Sequence, residues 1–90
     1  MITQTEEKVL DAVRKHVKDR HPGGAILEVL SRGIRQEQDW WYVLVQPDKE
    51  PDKRYEYYEA LADAEVELME QDDLTVLLVP VLPKEELSAA

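Results

Sequence analysis

The chain has 90 residues, a net charge of −9 and no cysteine. That length fits one domain with a single modest core, and it leaves no disulfide framework, thiol chemistry or thiolate metal site. The charge lacks the basic footprint that nucleic-acid binding needs, and it opposes docking on anionic membranes. With 43% hydrophobic residues and no Phe, the expected class is a soluble, cytoplasmic α+β domain. No apolar run approaches a membrane span, and the N-terminus lacks a signal-peptide hydrophobic region.

The first periodic stretch predicts a helix over roughly 4–20, with Val9, Leu10, Val13 and Val17 on its apolar stripe. Thr3 and Glu6 have capping-box spacing, and Pro22, Gly23 and Gly24 provide the stop. From Ala25 to about Gln36 the period changes to two, which predicts a strand. Gly33 interrupts it and suggests a bulge. Gln36 to Asp39 reads as a hairpin connection. A second strand, Trp40 to Gln46, places Trp40, Tyr42 and Leu44 on one face and Trp41, Val43 and Val45 on the other. A strand apolar on both faces is usually covered on both sides.

The acidic loop after Pro47 has Asp48, Glu50 and Asp52 at alternating positions, but Lys53 stands where a calcium loop requires glycine, so solvation is the better reading. Residues 48–73 carry −8 of the net charge. Asp52 is placed as the N-cap or a first-turn acid of a second helix running to Glu70. Three bands share that helix: a core stripe of Tyr57, Leu61, Ala64 and Leu68; an acidic face of Glu56, Glu59, Asp63, Glu67 and Glu70; and a second apolar band of Tyr55, Tyr58, Ala62, Val66 and Met69. Glu67 and Glu70 oppose the helix dipole, so tertiary packing must hold the C-terminal turns. A third strand, Leu74 to Val79, ends at Pro80, which lacks a ladder donor and confines the strand to an edge or lies just past its paired part.

The resulting expectation is an α-β-β-α-β, two-layer α+β domain over residues 1–83, followed by a flexible tail over 84–90. Two helices lie on one face of a three-stranded mixed sheet in order 1-2-3, with 2-1-3 as the close alternative. No catalytic constellation is present, and no cofactor or metal is implied. His16 and His21 stand five apart and turn onto different faces, and a histidine near a helix end is most simply a dipole partner. Neither serine sits in a nucleophile turn, and Gly23-Gly24 is not a phosphate loop.

The surplus of apolar faces points instead to a non-enzymatic protein-interaction or homodimerisation module. Its candidate interface is Trp40, Trp41, Tyr42, Tyr55, Tyr58, Val66 and Met69, and its expected partner is protein, foremost itself. Two further expectations stand beside it. One is an acidic inhibitor or immunity-type protein that meets a basic partner through the acidic face. The other is a small-ligand pocket between the sheet and the second helix, gated by Tyr55 or Tyr58.

Overall fold

The structure is a computed structural model that describes residues 4–21 and 24–83. Its elements run α1 (Gln4–Val17), β1 (Leu27–Glu37), β2 (Trp40–Pro47), α2 (Arg54–Asp72) and β3 (Val76–Pro80). This is the expected α+β order. The strands form one sheet in order β1-β2-β3, with β1 antiparallel and β3 parallel to β2. The most apolar strand takes the centre because there both neighbours satisfy its backbone. Thr3, the Pro22-Gly23 stop and the tail over 84–90 fall outside the described residues, as do the expectations attached to them.

Both helices pack on the same sheet face. From α1 come Val9, Leu10, Val13 and Val17, and from α2 come Tyr57, Leu61, Ala64 and Leu68. They meet Leu27, Val29, Trp41, Val43, Val45, Val76 and Leu78 in one buried cluster. The helical and strand periods thus converge on a single layer of side chains, which is the main source of stability in so small a domain. The most completely buried members are chiefly Val and Leu, with Trp41 and Tyr57 as the aromatic members of the cluster, and close packing of these shapes holds the layers together.

Local departures have local causes. Between Leu30 and Arg35 the β1–β2 register shifts, and Gly33 within this bulge has φ +78°. A Cβ on Gly33 would stand 2.6 Å from Leu44 Cδ1, so glycine supplies both the left-handed backbone and the space for Leu44. The hairpin turn is shorter than the sequence suggests: β1 runs on to Glu37, and Gln38 with φ 56° opens a two-residue reversal. At the start of α2 the cap is Lys53 without a side-chain cap bond, rather than Asp52. At its end, Asp73 takes the left-handed conformation, and the Leu74 amide donates back to the Leu68 carbonyl at 3.1 Å. That geometry closes the helix with aspartate where glycine is commoner.

Candidate functional site

Three places combine exposed or polar side chains in ways the core does not require. The first is the sheet face opposite the helices. Antiparallel partners share a face, so Leu30 with Leu44, and Arg35 with Tyr42, lie on this side. Leu77 and Val79 continue it on β3, beside Tyr42 and Leu44. Leu30 is 9% exposed, Tyr42, Leu44 and Val79 are half-buried, and Leu77 is open to solvent at 41%. The Arg35 guanidinium lies 4.7 Å from the centre of the Tyr42 ring, a cation–π contact at the rim of the apolar strip.

Trp40 joins this face to α2. It is 46% exposed, and it borders a hollow of about 150 Å³ together with Glu65, Val66, Met69, Thr75 and Val76. Tyr55, Tyr58, Val66 and Met69 are all exposed, so the second apolar band of α2 is surface. Trp41 is different: at 9% exposure it belongs to the core cluster. Alternation along β2 separates the two tryptophans, one to each side of the sheet. The candidate interface therefore divides into Tyr42 on the sheet face, Tyr55, Tyr58, Val66 and Met69 on α2, and Trp40 between them.

The second place is a clamp between the helices. His16 is buried, with Nδ1 3.0 Å from Glu67 Oε1 and Nε2 2.6 Å from Asp72 Oδ2. Arg20 donates to Glu67 at 2.6 Å, and Lys15 donates to Asp72 at 3.2 Å. Hydrogen bonds from Arg20 and then His16 hold the Glu67 carboxyl below its ordinary value; those from His16 and then Lys15 do the same for Asp72. Here is the tertiary compensation that the acidic C-terminal turns of α2 need. Of the acidic face, Glu67 is thus engaged internally, while Glu59, Asp63 and Glu70 are exposed and Glu56 is half-buried beside Lys53 at 4.0 Å. The described residues contain no group of three or more His, Cys, Asp or Glu arranged to hold a metal ion.

The third is a cleft of about 390 Å³ where β2 and β3 both end, against the first turns of α2. Four of the five prolines line it: Pro47, Pro51, Pro80 and Pro83. Parallel pairing brings two of them together, since Val45 is level with Pro80. Tyr57, Tyr58, Val81 and Leu82 complete the apolar wall, and Glu50 with Arg54 forms an ion pair at 2.8 Å. The rings of Tyr57 and Tyr58 are 5.5 Å apart. Tyr57 is 5% exposed, and its hydroxyl has no hydrogen-bond partner among the described residues. Burial, with Tyr58 adding to it, pushes the phenol up to about 12, so at neutral pH it is a donor seeking an acceptor.

The sequence signals for the cleft were two prolines following each parallel strand and a tyrosine pair at the helix start. Neither reveals a cleft without the pairing register. His16 was visible as a polar residue within the stripe of α1, but its two carboxylates lie 51 and 56 residues away. Comparison with known proteins finds no matching family model, no similar curated protein and no similar solved structure.

Proposed function

We propose that this chain is a non-enzymatic interaction module that associates with a second copy of itself through the sheet face opposite the helices. The observation that carries the reading is that both helices pack on one side, leaving Tyr42, Leu44, Leu77 and Val79 incompletely covered on the other. Exposed apolar patches of this kind mark contact surfaces. A standard interface takes about 800 Å² from each partner, which fits a molecule with extents of 34 × 28 × 20 Å.

The local charge on this face permits a second copy. The acidic α2 lies on the far side of the sheet. On the open face Arg35 stands among Glu28 and Glu37, so stacking two copies brings little like-charge repulsion. Sedimentation from about 1 to 200 μM tests the reading. A concentration-dependent dimer is expected, and Leu77→Arg should return it to monomer without lowering thermal stability. A strict monomer at every concentration removes the proposal.

A second reading belongs to the outer band of α2. There Tyr55, Tyr58, Val66 and Met69 are exposed, with Glu59, Asp63 and Glu70 also open on the same helix. That mixture suits a basic partner protein with apolar residues of its own. Its sign is association that weakens steeply with salt. Partner binding unchanged after reversal of Glu59 and Asp63 would remove it.

A further inference from the structure

We propose that His16, Glu67 and Asp72 form a pH-operated latch between α1 and α2, closed while both ring nitrogens of His16 carry protons and loosened when one proton is lost.

Donors and acceptors carry the inference. His16 Nδ1 lies 3.0 Å from Glu67 Oε1, and Nε2 lies 2.6 Å from Asp72 Oδ2. An ionised carboxylate only accepts, whereas a neutral imidazole has one donor nitrogen and one acceptor nitrogen. Two carboxylate contacts on one ring therefore need two N–H groups, which only the imidazolium has. A protonated carboxyl is the other conceivable source of the second proton. Hydrogen bonds from Arg20 and then His16 lower the Glu67 carboxyl, and those from His16 and then Lys15 lower Asp72, so both are acceptors at neutral pH.

The surroundings favour the charged ring even though it is buried. His16 stands in the last turn of α1, and its partners stand in the C-terminal turns of α2, so the negative ends of two helix dipoles meet at the ring. The last turn of α2 has no basic residue of its own, and α1 supplies the cations instead. Arg20 bonds Glu67 Oε2 and Lys15 bonds Asp72 Oδ1, which leaves the second oxygen of each carboxylate to His16. The charged groups around the ring are thus Glu67 and Asp72 from α2 and Lys15 and Arg20 from α1. β1, packed beneath α1, turns the apolar Leu27 and Val29 to the core.

Loss of one ring proton turns a lone pair towards a carboxylate oxygen, at a residue nine-tenths buried where water cannot take over the bond. Folding that depends on this proton is strongest where the proton is held, and it weakens as pH rises and removes it. The latch holds α1 to the end of α2, where Asp73 is left-handed and the Leu74 amide closes on the Leu68 carbonyl at 3.1 Å. It lies on the helix side of the sheet and works in monomer and dimer alike.

NMR of the full chain tests the latch in one titration from about pH 5 to pH 9. Ring-nitrogen shifts of His16 report its protons. Hydrogen-exchange protection at the Leu74 amide, corrected for the intrinsic rise of exchange with pH, reports the end of α2. Loss of the second ring proton should coincide with a loss of about tenfold in that protection. Asp72→Asn keeps the oxygen that Lys15 uses and offers an N–H to a neutral ring, so its protection should stay flat over the same range. A single ring proton on His16 at the acid end overturns the proposal, as does protection at Leu74 that ignores the ring's titration. Equal pH slopes in wild type and Asp72→Asn would place the sensitivity outside the latch and overturn it equally.

Discussion

The Glu65 carboxylate on α2 accepts a hydrogen bond from the backbone amide of Leu78 on β3 at 2.8 Å. β3 is an edge strand, so this amide would otherwise face solvent or an invading strand. The Val81 amide points inward to the Val45 carbonyl at 3.0 Å, and the two-residue repeat therefore turns Leu78 and Pro80 outward. Pro80 has no donor to expose, and Glu65 satisfies the one at Leu78. On the other edge, β1 is broken by its bulge. Each edge thus carries a feature that disfavours strand addition.

Removal of the guard should be visible. Glu65→Ala is expected to accelerate hydrogen exchange at the Leu78 amide and to promote strand-rich assembly at high concentration, with a stability loss of about 1–3 kcal/mol for a bond to a charged acceptor. Exchange read by NMR, together with light scattering, measures both effects. Unchanged exchange at Leu78 would mean that the carboxylate contributes nothing to the edge.

The helix clamp predicts an acid limit. Glu67 and Asp72 are held below their ordinary values of 4.5 and 3.8. A carboxylate lowered in the folded state adds stability that is present above its unfolded value and is lost as pH falls through its folded value. Stability should therefore fall as pH drops below that range, and Glu67→Gln with Asp72→Asn should flatten the fall. Urea midpoints taken from about pH 6 to pH 2.5 give the slope. An identical slope in the double variant would place the acid sensitivity elsewhere.

Leu61 and Met69 occupy opposite roles on one helix. Leu61→Ala opens a core cavity and should cost about 2–5 kcal/mol. Met69 is 53% exposed, and its truncation should cost well below about 1 kcal/mol. Denaturant melts compare the two directly, and similar losses would show the outer band acting as core.

Tyr57→Phe is expected to stabilise the free protein by about 1–3 kcal/mol, because it deletes a buried hydroxyl without a partner. Thermal melts of the two forms test this. A destabilised Phe variant would mean that the hydroxyl has a partner such as an ordered water.

The stripe of Tyr57, Leu61, Ala64 and Leu68, the bulge at Gly33 and the edge position of the strand ending at Pro80 were all legible in the sequence. Each depends on neighbours within a few residues, where period, sterics and the missing proline donor act. The central place of β2 followed from its two apolar faces. Helix ends were less legible: Asp52 looked like the cap of α2, and Lys53 holds that position, because the path of the preceding loop decides which residue turns in.

The second apolar band of α2 could not be assigned from its own spacing. Periodicity shows that a face exists, but what lies against it depends on where β3 is threaded, and that parallel return leaves Tyr58, Val66 and Met69 exposed. The pairing of His16 with Glu67 and Asp72, the guarding of Leu78 by Glu65 and the gathering of four prolines around Tyr57 were likewise set by the tertiary structure alone. Local sequence determines which faces a segment has. Contacts between distant segments determine what each face meets, since only the packed sheet and helices fix those distances.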